Sequence, residues 1–403
     1  MTELSTLIKQ GRKEEIWTKY CGFFDLSVDE FMEIQERLLL EQIEELGKSM
    51  MGRMIMGDVV PSSIDEFRKV VPFTTYKDYV GYLDTQREDV LPRKPVAWCH
   101  TSGRTGEYKF KWVPYTQKMY DRLGEVVIGA MIIASANKKG DIFLENNDTV
   151  LLTTAPPPYY GAIITRAAED HANIRFLPPL DEGEQMGYAE RVQAGFKEAM
   201  VKGMDIFYGI SSVLVRIGQQ FEEGGGGNIK LSKDMLNPSF LIRMIGGQIK
   251  AKLQGRPMYP KDIWKLKGIM TGGADTLVYK KIIEKYWGRM PMEGYALTEG
   301  GLMAVQAWNL KGMTFYPEND FLEFISVEER KKEEENPDYT PKTKIFNELE
   351  LGVYELVITN FHGGVFTRYR PGDLFEVVAM KDEELDINLP QFNYYARASD
   401  VIN

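Results

Sequence analysis

The stretch His100-Thr101-Ser102-Gly103-Arg104-Thr105-Gly106-Glu107-Tyr108-Lys109 is a run of small and hydroxylated residues closing on a lysine. Small residues let backbone N–H groups approach phosphate oxygens, the hydroxyls add donors, and Lys109 supplies positive charge. The stretch therefore reads as a loop that holds a polyphosphate. It is not a Walker A motif: Gly-x-x-x-x-Gly-Lys-Ser/Thr is absent, and the residues that follow lack a helical pattern. Tyr108, Phe110 and Trp112 alternate with Lys109 and Lys111, which is a strand pattern, and Val96-Ala97-Trp98-Cys99 reads as a strand on the other side. A phosphate loop between two strands points away from P-loop NTPases and toward another way of activating a substrate with ATP.

Three more short segments follow in order: Gly294-Tyr295-Ala296-Leu297-Thr298-Glu299, Tyr369-Arg370-Pro371-Gly372-Asp373 and Ala396-Arg397-Ala398-Ser399-Asp400, with Gly272-Gly273-Ala274 ahead of the first. Each has a plain structural reading when taken alone. Asp373 shapes a turn after Pro371-Gly372, Arg370 is an exposed strand residue, and Glu299 caps the turn before Gly300-Gly301. Their joint order favours a site.

The elements that must position them follow from periodicity. Ser27-Val28-Asp29-Glu30 has capping-box spacing, and Phe31, Leu38, Leu39, Ile43 and Leu46 continue at helical intervals. Met50, Met51, Met54 and Met56 extend that pattern and read as core packing. Helices are expected over 117–134, 190–200, 211–221 and 276–287, and strands over 149–154, 205–208, 267–270 and 290–294. Such alternation implies mostly parallel sheets with helices on their faces and ligands at the carboxyl ends of the strands. The glycine run 224–227 reads as a surface loop and the charge run 328–338 as a solvated loop. Residues 354–359 and 365–370, joined by His362-Gly363-Gly364, read as an antiparallel hairpin in a small β-rich subdomain.

Composition narrows the function classes. The chain has 403 residues, 43% hydrophobic and 27% charged, with a net charge of −10 that argues against nucleic acid or an anionic membrane as partner. Two cysteines, Cys21 and Cys99, no Cys-x-x-Cys and three histidines argue against a disulfide framework or structural zinc site. Cys99 reads as a buried strand thiol. The polar start Met1-Thr2-Glu3-Leu4 lacks a signal-peptide pattern and no apolar run approaches a membrane span, so a cytoplasmic location is the expectation.

In this order the segments resemble the adenylate-forming superfamily of acyl-CoA synthetases, peptide-synthetase adenylation domains and firefly luciferase. The spelling is nearest to the plant auxin-conjugating acyl acid amido synthetases and their bacterial relatives. The supporting phrases are Val71-Pro72-Phe73-Thr74-Thr75-Tyr76, Phe321-Leu322-Glu323-Phe324, Tyr354-Glu355-Leu356-Val357-Ile358-Thr359 and Phe366-Thr367-Arg368-Tyr369-Arg370-Pro371-Gly372-Asp373. The resemblance implies an α/β fold over residues 1–398, with two mostly parallel sheets, flanking helices and a β-rich subdomain at about 310–398. Residues 399–403 would begin a hinge to a small C-terminal domain absent from this chain, which is then expected to be a shortened form.

The resemblance also implies roles. Thr101, Ser102, Gly103, Arg104, Thr105, Gly106 and Lys109 would hold the β- and γ-phosphates of ATP. Glu299 would bind Mg2+, Thr298 would donate to the α-phosphate, and Tyr295 would pack on the nucleotide. Gly272, Gly273 and Ala274 would let backbone approach adenosine and acyl groups, Asp373 would accept both ribose hydroxyls, and Arg397 would meet phosphate or ribose. Lys109, Thr298, Glu299 and Arg397 form the implied catalytic set. Tyr159, Tyr160, Gly161 and Tyr208 are the candidates for an acyl pocket suited to an aromatic acid.

Two departures stand out. Arg104 replaces the usual threonine or serine, and Tyr159-Tyr160-Gly161 stands where many acyl-CoA synthetases have a histidine, whose role does not pass to His171 or His362. His100 reads as structural. The implied reaction makes an acyl-adenylate, releases pyrophosphate and passes the acyl group to coenzyme A. The alternatives are transfer to an amino acid or other amine, and a nucleotide-binding protein without turnover.

Overall fold

Residues 2–101, 110–224, 237–272 and 276–400 are described by the structure, a computed structural model. Glycines 225–227 of the expected surface loop lie outside them, as do residues 401–403. The chain forms two compact units, each assembled from separated segments. The first comprises Met1–Cys21, Gly124–Pro157 and Ile164–Gly294, the second Gly22–Leu123, Pro158–Ile163 and Tyr295–Asn403.

In the first unit the strands Thr149–Leu152, Arg175–Leu177, Ile206–Ile210 and Gly268–Gly272 are parallel, and the start of Met292–Leu297 pairs with the last of them. The spatial order places Thr149–Leu152 between Arg175–Leu177 and Ile206–Ile210, so consecutive strands are joined by crossover helices, as the alternation implied. Helices Tyr188–Lys202, Ser211–Glu222 and Thr276–Trp287 supply the covering layer. Leu151, Phe207, Leu214, Ile269 and Ile283 form the core with Trp264 and Trp287, whose rings stack 5.7 Å apart. Gly218 is required where its helix meets Tyr286: a Cβ there would lie 2.1 Å from the ring.

In the second unit the strands are antiparallel, in the order Thr343–Lys344, Asp320–Ser326, Gly352–Asn360, Asp373–Ala379, Gln391–Arg397, Met313–Phe315 and Gly301–Gln306. Ala97–His100 and Trp112–Tyr115 form a separate antiparallel pair. Helix Val28–Gly47 starts at the Ser27/Glu30 capping box and packs Leu38, Leu39, Ile43 and Leu46 with Phe321 and Phe361. The methionine stripe is split: Met51 and Met56 are buried, whereas Met50 and Met54 are exposed. Among the described residues no helix is long and apolar enough to cross a membrane.

Two expectations differ from the structure. The charge run is not a loop over its length: Val327–Glu335 is an α-helix whose Ser326 hydroxyl accepts from Glu329 N–H. Its stability comes from that cap and from pairs such as Lys332–Glu329 and Arg330–Glu334, with no side chain buried, so no apolar periodicity announced it. Arg370 is correspondingly not an exposed strand residue, since it pairs with Glu333 at 2.7 Å and Glu355 at 2.8 Å.

The second difference is the return arm of the expected hairpin. Of residues 365–370, Tyr369 makes a lone bridge to Ile358, with N–H to carbonyl distances of 2.7 and 2.9 Å. Arg368 has φ +43°, a left-handed conformation that breaks an extended ladder. That turn sends its guanidinium inward to Glu323 (3.0 and 2.8 Å) and to the carbonyls of Val71 (2.6 Å) and Arg68 (2.7 Å). Thr74 N–H bonds Arg368 O at 3.0 Å and Arg370 N–H bonds Thr74 O at 2.9 Å. Three phrases that carried the resemblance are thus one buried structural knot.

Candidate functional site

The neck of the small-residue loop is a pair of strands. His100 pairs with Trp112, then Thr101 N–H donates to Lys111 O at 3.2 Å and Thr101 Oγ1 accepts from Lys111 N–H at 3.2 Å. The imidazole of His100 stacks on Phe110 at 4.2 Å and meets Tyr159 edge-on at 4.6 Å, a packing role. Cys99 is a fully buried strand thiol. Ser102, Gly103, Arg104, Thr105, Gly106 and Lys109 lie outside the described residues.

Strand Met292–Leu297 is longer than the expected 290–294 reading at its far end, so Tyr295 lies within it and Thr298-Glu299 form the turn into Gly301–Gln306. Gly301 takes φ +80°, which only glycine adopts readily, and so turns the chain back. Side chains fix this turn from behind. Tyr115 OH donates to Thr298 O at 3.0 Å, and Asn360 Nδ2 donates to Glu299 O at 2.8 Å. The buried Glu299 carboxylate accepts on Oε1 from Tyr369 OH at 2.9 Å and from Lys111 Nζ at 3.4 Å, while Lys111 also donates to Tyr369 OH at 2.9 Å. Burial, then the charge of Glu299, push the Tyr369 phenol well up, keeping it a donor. Oε2 has no hydrogen bond among the described residues.

The described residues contain no group of three or more His, Cys, Asp or Glu side chains able to cage an ion. A single buried carboxylate with one unused oxygen fits Mg2+, which takes one or two carboxylates and completes its shell with phosphate and water oxygens. It does not fit a structural zinc site.

Behind the turn lies Asp320. Its Oδ1 accepts from Asn360 Nδ2 at 2.8 Å, while the buried Oδ2 has no partner among the described residues. Burial pushes the carboxyl well above its ordinary range, which favours its protonated form. An unfolded aspartate ionises near pH 4 and the folded one only at higher pH. Between those values the native state holds a proton that the unfolded state has lost, so stability falls as pH rises. Asp320→Asn is expected to raise the unfolding free energy at pH 8, with little gain at about pH 4, because the amide replaces a group that loses its proton on unfolding at the higher pH. Urea denaturation at both pH values reads the difference; equal effects would show that burial does not raise the Asp320 carboxyl.

The second carboxylate is Asp373, opposite Arg397 in paired strands. Its Oδ2 accepts from Tyr295 OH at 2.7 Å, and its Oδ1 from Arg397 Nε at 3.0 Å and Tyr394 OH at 3.4 Å. Burial and then Asp373 raise the Tyr295 phenol well above its usual value, which keeps it a donor. The Tyr295 ring packs edge-on against Phe375 at 4.6 Å. Tyr295 is thus placed as a hydrogen-bond partner of Asp373 inside an aromatic cluster.

In the second unit the structure brings Tyr295, Asp373 and Arg397 together, and Glu299 with Lys111 and Tyr369. Tyr159 and Tyr160 are also there, Tyr160 with its ring 6.0 Å from Tyr115, and Gly161 follows in helix Tyr160–His171. Tyr208 and Gly272, the latter ending its strand, belong to the first unit; Gly273 and Ala274 lie outside the described residues. Sequence reasoning did not single out Lys111, Tyr369, Asn360 or Asp320. For Lys111 the signal was its alternation with Lys109, and for Tyr369 its place inside a quoted motif.

Comparison with known families and structures gives a consistent assignment. The GH3 family N-terminal domain matches residues 21–155 and the GH3 family central domain matches residues 313–397, together more than half of the chain. No curated protein matches. A solved GH3.15 acyl acid amido synthetase in complex with 2,4-DB is similar with a TM-score of 0.62 and 17% identity, over 91% of this chain and 68% of that one. A 2-hydroxyisobutyryl-CoA ligase in complex with 2-HIB-AMP is similar with a TM-score of 0.61 and 13% identity, over 93% and 69%. At these identities the structures speak for a shared fold, and the family models carry the assignment. The chain belongs to the GH3 family of adenylate-forming, ATP-dependent ligases.

Proposed function

We propose that this chain joins a small carboxylic acid to AMP, with Mg2+ at Glu299, and then hands the acyl group to coenzyme A or an amine. The observation that carries the proposal is the pair of buried carboxylates, each met by donors: Glu299 by Tyr369 and Lys111, Asp373 by Tyr295, Tyr394 and Arg397. Asp373 has the acceptor capacity for the two hydroxyls of a ribose, which would replace donors it already holds.

In the reaction an oxygen of the substrate carboxylate forms a bond to the α-phosphorus while the bond to the β-phosphate bridging oxygen breaks, and pyrophosphate leaves. Two anions must meet, so fixed positive charge and donors are the main requirement. Bound Mg2+ supplies charge neutralisation at the phosphates. Lys111 supplies a cation next to this turn, and the turn itself is held by Tyr115 and Asn360, so Thr298 and Glu299 do not have to be organised during the reaction. Tyr159 and Tyr160 support an aromatic acid as substrate.

The amine acceptor is a second reading with its own support, since both matching family models are GH3 and the GH3.15 structure is an acyl acid amido synthetase. Acid-dependent exchange of pyrophosphate into ATP across a carboxylic acid panel tests the first step; no exchange with any acid would sink it. Thioester or amide formation with coenzyme A or amino acids decides the second. Asp373→Asn is expected to weaken ATP binding at least about tenfold, because charge-assisted hydrogen bonds are worth about 1.5–3 kcal/mol. Calorimetric titration checks this, and an unchanged affinity would remove Asp373 from the ribose site.

A further inference from the structure

We propose that Lys111 is a built-in stand-in for the metal: its ammonium neutralises Glu299 until a divalent ion arrives, then leaves the carboxylate for the anions of the substrates. This rests on the reading of Glu299 as the metal ligand. Lys111 Nζ lies 3.4 Å from Glu299 Oε1 and 2.9 Å from Tyr369 OH, and Tyr369 OH donates to the same Oε1, so ammonium and phenol converge on one carboxylate oxygen. The ammonium also lies 5.7 Å from the ring centre of Tyr76 and 5.6 Å from that of Tyr369. Among the described residues these contacts hold a cation in place without a second carboxylate.

The need for such a cation follows from burial. The Glu299 side chain is 4% exposed, and an unneutralised carboxylate there would be costly. Lys111 is 24% exposed on a flexible four-carbon stem, so it can withdraw, whereas Tyr369 is fully buried and fixed. Its backbone is tied to Thr101 at the loop neck, so a released ammonium stays tethered where the phosphate-holding sequence begins. Two cations on one carboxylate repel, so lysine and metal compete.

The test measures Mn2+ binding without nucleotide, by electron paramagnetic resonance, in the full chain. Lys111→Met is expected to bind Mn2+ about tenfold tighter than the unmodified protein, the scale set by one unit charge a few ångströms away after solvent screening. Lys111→Gln, which keeps hydrogen bonding but not charge, is expected to match it and guards against a folding defect in the first variant. Glu299→Gln is expected to lose the site. If Glu299→Gln loses Mn2+ but both lysine variants bind it no more tightly, the stand-in role is overturned and the metal reading stands. If Glu299→Gln binds as before, the metal reading itself falls.

A second readout is ATP affinity. Lys111→Met is expected to weaken it no more than about threefold in EDTA, where the bare Glu299 carboxylate repels the phosphates, and about tenfold or more with Mn2+, because only the metal releases the lysine toward phosphate. Equal weakening in both conditions would make Lys111 a fixed phosphate ligand and overturn the proposal.

Discussion

Glu299→Gln is expected to lower acid-dependent pyrophosphate exchange by about 100-fold or more, the scale of removing one preorganised charge-stabilising group. Glutamine keeps the volume and an oxygen able to accept from Tyr369, and the backbone carbonyls of Thr298 and Glu299 keep their donors, Tyr115 and Asn360. The fold should therefore survive. What is lost is the negative charge at the end of a well-fixed turn, and with it the oxygen left for a hard cation. Steady-state exchange rates and thermal unfolding, measured side by side, separate the two. A variant within threefold of the parent rate would place the catalytic charge elsewhere.

Arg368→Met is expected to cost about 3–5 kcal/mol of stability, the range for breaking a buried ion pair by removing one partner. The guanidinium makes two bonds to Glu323 (3.0 and 2.8 Å) and donates to the carbonyls of Val71 and Arg68. Without it, Glu323 keeps Thr343 Oγ1 at 2.7 Å but loses its counter-charge in a site nearly closed to water. The double variant Arg368→Met/Glu323→Leu should recover part of the loss, because no buried charge remains. Urea denaturation reads both; a single-variant loss under about 1 kcal/mol would show that the knot is not what holds the segments.

The comparison of sequence with structure separates local information from assembled information. Strand and helix periodicities in the first unit were legible because each element buries a continuous face, and helix 276–287 was placed to the residue. The proximity of Tyr295, Asp373 and Arg397 was legible as well, through the order of short motifs. Helix Val327–Glu335 was not, since a helix held by a cap and surface ion pairs carries no apolar stripe. Lys111 was not singled out because the motif ends on Lys109, and the pairing at the loop neck that accompanies the contact of Lys111 with Glu299 is not written in the motif. Arg368 reads as a strand residue until its left-handed backbone is seen. The division of the chain was hidden for a similar reason: a unit built from three separated segments leaves no boundary in composition.

The knot at Arg368 bears on the order in which the protein can be made. Arg368 and Val71 stand 297 residues apart in the chain, yet the second unit joins them through a buried hydrogen bond. At a synthesis rate of about 10 residues per second, the segment around Val71 leaves the ribosome roughly half a minute before its partner exists. In that interval the first unit's last segment, Ile164–Gly294, is translated, which completes that unit. Phe67, Phe73 and Tyr79 meanwhile wait without their partners Phe321, Arg368 and Phe366, so the second unit is the part of this protein with the longest exposure to chaperones and to aggregation during birth.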